Sequence, residues 1–197
     1  MHRLTIAVLA LAVASPLAAQ GSPPPNSTTA SPAGLRVAPS GRATTAVTLG
    51  RPRAQGQPPL RIAIDYGQPH ARGREVVGQV VPLDAVWRTG ANEATTLTTD
   101  VDLVIGGARV PKGGYTLFTL PSARGWKLII NKQTGQWGTE YHAEQDLARV
   151  DLRARTLREP LDSFTIWLVP AGGDGAQGTL RLAWGTQELS TGWRVAQ

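Results

Sequence analysis

Polar and apolar residues alternate with period two through much of the chain beyond residue 42. In Arg149-Val150-Asp151-Leu152-Arg153-Ala154-Arg155 the charges take one face and the apolar groups the other. That is the pattern of a strand with one solvated side. Asp151 interleaves with the arginines and Glu159 follows, so this face reads as a solvated sheet surface rather than an anion site. Residues 115–120, 126–131, 164–169 and 179–184 are rich in β-branched and aromatic side chains. Further strands are expected at 44–49, 61–66, 94–99, 101–105 and 187–190. Gly106-Gly107, Pro111-Lys112-Gly113-Gly114, Ser122-Ala123-Arg124-Gly125 and Gly172-Gly173-Asp174-Gly175 supply the turns. The best helical segment is short, 140–147. Short strands at this spacing predict an all-β fold, a single antiparallel β-sandwich of jelly-roll-like character with at most one short helix.

The first forty residues follow a different pattern. Met1-His2-Arg3 is short and positive, residues 4–14 are apolar apart from Thr5, and Ala18-Ala19 follow Ser15-Pro16. This is the three-part layout of a secretory signal peptide over 1–20, cleaved after Ala19 or Gln20. The run is too short to cross a bilayer, which takes about 20 apolar residues. Residues 21–41 are dominated by Pro, Ser, Gly and Thr, a composition that predicts a disordered linker. The expected organisation is therefore signal peptide, linker and one domain over 42–197. The mature chain has no transmembrane segment and is expected to be exported, periplasmic or extracellular.

Charge changes the picture less than its total implies. Lys and Arg number 20 against 14 Asp and Glu, a formal +6. Residues 1–61 carry six arginines and no acid, so residues 62–197 are balanced. No basic stripe with interleaved aromatics runs through the domain, and nucleic acid is not an expected partner. The absence of Cys excludes disulfides, thiolate metal sites and a Cys nucleophile. No Gly-rich phosphate loop opens a helix and no Gly-x-Ser-x-Gly elbow is present. No cofactor is expected, and no His is placed by sequence beside Ser122, Ser163 or Ser190. Asp100-Val101-Asp102 puts two carboxylates on one strand face, which reads as a solvated strand start rather than a metal site.

Several strings occur together in a recognisable order: Asp65-Tyr66-Gly67-Gln68-Pro69, then Trp87-Arg88-Thr89-Gly90-Ala91-Asn92-Glu93, then Pro111-Lys112-Gly113-Gly114-Tyr115, then Asn131-Lys132 with Gln136-Trp137-Gly138. Over about residues 43–190 the chain resembles a bacterial secreted family, the domain of unknown function 2911. The resemblance implies export and a β-rich fold, with no established activity. One departure is visible: family members often read Tyr-Ser-Arg-Pro where this chain has Tyr66-Gly67-Gln68-Pro69.

The densest polar–aromatic cluster is the candidate site. Trp87 offers a flat apolar face, Arg88 a rigid fork of donors, Asn92 a donor and an acceptor, and Glu93 a base. Asn131, Lys132 and Trp137 sit where a strand runs into a glycine-bearing loop, a common place for binding groups. Trp87 and Trp137 are the tryptophans next to polar turns, whereas Trp167 and Trp184 lie in apolar strands and are expected in the core. The leading expectation is a binding module for a carbohydrate or cell-envelope ligand, with the two segments close together in one site. A second reading is a hydrolase using Glu93 or Asp65 with Arg88. A third is a protein–protein interaction module in which Trp87 and Trp137 meet a partner. The structural alternative pairs Arg88 with Asp65 or Glu93, lets Asn92 cap the turn, and puts Trp87 in the core.

Overall fold

The computed structural model describes residues 36, 38–50, 58–173 and 176–197. The expected signal peptide at 1–20, most of the expected linker at 21–41 and part of the Gly172–Gly175 turn lie outside the described residues. Contacts divide the chain into Met1–Arg36 and Val37–Gln197, and the second unit holds every element below.

Among the described residues nine strands form: β1 (Arg42–Leu49), β2 (Leu60–Gly67), β3 (Thr96–Thr99), β4 (Leu103–Ile105), β5 (Ala108–Val110), β6 (Gly113–Ser122), β7 (Gly125–Asn131), β8 (Asp146–Pro170) and β9 (Gln177–Val195). They make one antiparallel sheet in the order β1-β2-β3-β6-β7-β8-β9-β4-β5. The all-β expectation holds. The connectivity is a meander with the β4–β5 hairpin carried to the far edge beyond β9.

Two expected pairs of strands turn out to be single long ones. Segments 149–155 and 164–169 join as β8, and 179–184 and 187–190 join as β9. Between them Pro160 and a run of charges resemble a turn. The structure instead places register shifts there: Thr156 faces Gln187, but the next partner pairs are Leu161 with Gly185 and Thr165 with Ala183. A proline that cannot donate to the ladder is tolerated at such an irregularity. On β9, Gly185 takes φ +56° at the same place.

These bulges bend the ribbon so that β8 serves two layers. Its first part pairs with β7, through Leu152. Its second part pairs with β9 and leaves a free edge, where alternate amides find acceptors on the other layer. Phe164 N–H donates to the Pro69 carbonyl at 2.9 Å, Ile166 N–H to Tyr66 Oη at 3.1 Å, and Leu168 N–H to Thr45 Oγ1 at 3.2 Å. Burial pushes the Tyr66 phenol above its usual range, so it remains neutral. Between the layers lie Ile62, Ile64, Leu97, Leu117, Leu128, Ile130, Ile166, Leu180 and Leu182, in one continuous core. Trp184 belongs to it as expected. Trp167 is out of phase with Phe164, Ile166 and Leu168, faces the other side of the strand, and is half-buried.

The outer face of β6 and β7 is covered too. Phe118 and Ile129 point away from the main core yet are buried. The segment after β7 forms the cover. Thr116 Oγ1 donates to the Gln133 carbonyl at 2.8 Å, and the Tyr141 ring meets Phe118 edge-on at 4.9 Å. The helix expected at 140–147 does not form. A 3-10 turn occupies Ala143–Gln145, and β8 begins at Asp146. Pairing with β7 overrides a weak local preference. Lys132 N–H donates to the Gln145 carbonyl at 2.9 Å, and Asp146 accepts from Asn131, Tyr141 and Arg149. Asn131 is fully enclosed at the centre of this knot. Its amide donates to the His142 carbonyl and Asp146 Oδ1, and its oxygen accepts from Gln133 N–H, each at 2.9 Å.

The domain also begins slightly earlier than expected. The Gly41 carbonyl accepts from Gln68 N–H at 2.8 Å and the Ser40 carbonyl from Asn92 Nδ2 at 3.3 Å, so residues 40–41 are part of it rather than of the linker. The strand expected at 101–105 shortens to β4 because its acids are engaged just before it. Asp100 accepts from Arg61 N–H at 2.7 Å, and Asp102 accepts from Lys112 N–H and Arg109, both at 2.9 Å. The Lys112 amide, then Arg109, hold the Asp102 carboxyl below its usual range.

Two predictions follow from these locks. Asn131→Ala strands an acceptor on Asp146, the His142 carbonyl and the Gln133 amide, and urea unfolding should show a loss of about 2–4 kcal/mol. A loss below about 1 kcal/mol would mean that the cover does not depend on this side chain. Across β8 and β9, Arg155 grips Glu188 with two bonds, at 2.6 and 2.9 Å, and the Glu188 side chain is only 10% exposed. The Arg155 bonds hold the Glu188 carboxyl below its usual range. The stability tied to this shift is fully present above the ordinary Glu value of about 4.3 and disappears as pH falls through the lowered folded value. Arg155→Ala should therefore lower the urea midpoint measurably at about pH 7. The same comparison at about pH 2.5 should show a clearly smaller shift; equal shifts at both values would contradict the coupling.

Candidate functional site

The two segments singled out by sequence are bonded neighbours. Gly138 N–H donates to the Asn92 carbonyl at 2.9 Å, Ala94 N–H to the Gln136 carbonyl at 3.2 Å, and Glu93 bridges Trp137. The first segment is itself tied to β6, where Trp87 and Thr119 exchange both backbone bonds at 2.8 and 2.9 Å.

The turn after Trp87 is unusual in its backbone. Thr89 takes φ +54° and Asn92 φ +62°. For a β-branched residue this is a strained conformation that only dense surroundings maintain. Thr89 is completely buried. Its hydroxyl bonds Thr119 Oγ1 at 3.2 Å, and its carbonyl accepts from Thr95 Oγ1 at 2.7 Å. Two glycines permit the close packing. A Cβ on Gly67 would lie 1.9 Å from the Ala91 carbonyl oxygen, and one on Gly138 would lie 2.8 Å from Arg88 Cδ. Gly67 and Gln68 are the two positions that depart from the Tyr-Ser-Arg-Pro pattern, and the turn closes directly over Gly67.

Beside this turn is a cleft of about 400 Å³. Its walls include Trp87, Arg88, Asn92, Phe118, Thr139 and Tyr141. Trp87 stacks on Trp184 at 5.8 Å with the planes 18° apart and meets Phe164 edge-on at 5.2 Å, so one side of its ring belongs to the core. Arg88 is half-buried, its stem seated against Gly138. Among the described residues its guanidinium has no hydrogen-bond or ion-pair partner. Arg74, also at the cleft but exposed, donates to the carbonyls of Ala71 at 2.9 Å and His70 at 2.8 Å and has no ion-pair partner among the described residues. Tyr141 is kept protonated by burial, with Asp146 adding to the effect. Its hydroxyl donates to Asp146 at 2.7 Å and accepts from Arg149 at 2.7 Å, so only its ring is left for the cleft. No carboxylate lines the cleft among the described residues.

The remaining candidates lie elsewhere. Asn131 is locked inside the cover, and Lys132 is exposed outside the cleft lining. Trp137 is 48% exposed and is not part of the lining. Asp65 and Glu93 are gathered by Arg42 rather than Arg88. Arg42 Nε donates to Asp65 Oδ1 at 2.7 Å, Thr44 Oγ1 donates to Asp65 Oδ2 at 2.7 Å, and Arg42 Nη1 lies 3.6 Å from Glu93. Arg42 had counted only as part of the basic N-terminal segment. Phe118 and Tyr141 were missed for different reasons: Phe118 sits in a strand with both faces apolar, and Tyr141 in the segment read as helix.

One serine does gain a histidine. The His70 and Ser163 backbones bridge, and His70 Nδ1 lies 2.8 Å from Ser163 Oγ, a pairing their 93-residue separation concealed. Asp162 lies 3.8 Å from the same ring nitrogen. Acid and hydroxyl on one nitrogen do not form the relay in which the acid orients one side of the ring and the base works from the other. The pair also lies outside the cleft lining.

Searches of curated proteins and of solved structures return no match. A family model described as "Protein of unknown function (DUF2911)" matches residues 51–192, which take in β2 through most of β9 and the whole turn from Trp87 to Glu93. With the strings that carry the resemblance now placed on one packed unit, the chain belongs to the DUF2911 family.

Proposed function

We propose that this protein is an exported binding module whose ligand is a carbohydrate or another cell-envelope component bearing an acid group, held in the cleft beside Trp87 and Arg88. One observation carries the reading: the half-buried guanidinium of Arg88, with the exposed Arg74 nearby, lines a preformed cleft that has aromatic walls and, among the described residues, no carboxylate and no acidic partner for either arginine. A half-buried cation left unpaired is costly unless solvent or a ligand satisfies it. An Arg fork matches a carboxylate or phosphate by two parallel bonds, and aromatic faces suit the apolar faces of sugar rings. The strained Thr89–Asn92 turn fixes Arg88 before any ligand arrives, which lowers the ordering cost of binding. The hydrolase reading finds less support, because Asp65 and Glu93 are both engaged by Arg42 outside the cleft lining.

Calorimetric titration with matched acidic and neutral oligosaccharides tests this reading. The acidic member should bind, and Arg88→Ala should weaken it roughly 10- to 100-fold, as expected for a charge-assisted contact of about 1.5–3 kcal/mol. The same substitution should leave urea stability within about 1 kcal/mol, because the guanidinium has no bond to lose. Equal affinity for the two sugars, or a loss of several kcal/mol of stability in Arg88→Ala, would defeat the proposal.

A further inference from the structure

The groove along the bent β8–β9 ribbon has no part in the reading above and shares no lining residue with the cleft. Its volume is about 800 Å³. It forms because β9 bends back on itself: Val195 N–H donates to the Ala176 carbonyl at 2.8 Å, so the two ends of the strand meet. Arg181 comes from the first half of β9. Glu188 and Ser190 come from its second half, and Asp151, Arg153 and Arg155 from one face of β8.

The alternation of Asp with Arg on this face suggested charges that satisfy one another. The pairing in the structure differs. Asp151 is taken by Lys127 of the neighbouring strand, at 2.6 Å. Both oxygens of Glu188 are taken by Arg155. Arg153 and Arg181 then have no acidic partner and no hydrogen bond from their side chains among the described residues. Arg181 is half-buried in the groove and near enough to Glu188 to act on its charge. The result is a concave surface with two guanidiniums free of ion pairs and hydrogen bonds, Arg153 exposed and Arg181 half-buried, braced by a bidentate pair between the exposed Arg155 and the buried Glu188 that holds the two strands in register.

We propose that this groove is a second binding site, for a ligand carrying at least two carboxylate or phosphate groups, with Arg153 and Arg181 each receiving one. The volume exceeds what a single ion needs and falls within the range of small-molecule sites. Two guanidiniums on separate strands fix both the spacing and the orientation of such a ligand. The Arg155–Glu188 pair is a positioning element that keeps Glu188 from competing for Arg181.

The test uses the full chain carrying Arg74→Gln and Arg88→Ala, so that neither arginine of the cleft contributes. Two probes are titrated, a galacturonate trimer and tripolyphosphate. At least one should bind saturably. Substituting Arg153→Gln and Arg181→Gln together should weaken it by at least about tenfold. Raising salt from about 50 to about 500 mM should weaken it as well. A preference for the trimer marks acidic sugars as the source of the anion, and a preference for tripolyphosphate marks phosphate. Failure of both probes to bind at low salt would overturn the proposal, as would binding that survives the double substitution. The melting temperature of the double variant should match its parent, since neither side chain has a bond to lose. A fall of several degrees would show the two arginines to be structural and would also overturn it. Because Arg74 and Arg88 are absent throughout, failure here leaves the cleft reading untouched.

Discussion

The free edge of β8 is the constraint on which the rest of the domain depends. A strand of 25 residues cannot remain flat in a small sheet. Its bulges turn it from one layer to the other and expose a row of amides that must be satisfied. Pro69, Tyr66 and Thr45 meet that need from the opposite layer, so the sheet closes over its own core without a further strand. Once Tyr66 and Pro69 are held there, Gly67 between them is fixed, and the Ala91 turn closes upon it. The cleft is thus built on a backbone that the edge closure has already positioned.

The cover over β6 and β7 works by the same logic in reverse. Asn131 and Asp146 sit at opposite ends of the covering segment and hold it down through bonds to each other and to His142, Gln133, Tyr141 and Arg149. Their polar atoms are spent on the fold, which is why Asn131 has nothing to offer a ligand. Yet their arrangement places the Tyr141 ring on Phe118 and the Gly138 backbone against Arg88, and so supplies one wall of the cleft.

Alternation in the sequence identified the strands well because it reports one buried and one solvated face. It could not report that 149–155 and 164–169 are one strand, because Pro160 and its charged neighbours look locally like a turn, and a bulge is defined only by its partner. Nor could it say that Phe118 lies outside the main core, because both faces of its strand are apolar and the cover over it comes from a segment that reads as helix. The cluster from Trp87 to Asn92 was legible as something other than a strand, since its polar and aromatic groups are too dense for one, and Trp87, Arg88 and Asn92 do line one cleft. What it did not reveal was which arginine takes which acid. Arg88 lies close in sequence to Glu93, but Arg42 reaches Glu93 and Asp65 from β1, a pairing decided by register across β1 and β2 rather than by spacing.

That reassignment bears on the whole electrostatic character of the domain. Residues 62–197 carry equal numbers of acidic and basic groups, which suggests a surface with nothing left to bind an anion. Balance over a sequence does not imply balance at each site. Arg42, Arg109, Arg149 and Arg155 engage carboxylates directly, and Lys127 takes Asp151. Asp65, Glu93, Asp151 and Glu188 are thereby already engaged. Exposed arginines without partners are ordinary, because water satisfies them at little cost. Arg88 and Arg181 are different, since both are half-buried at concave surfaces where water is a poorer substitute. Two of the uncommitted positive charges thus sit at concave places, each set by strand register and neither visible in the net charge.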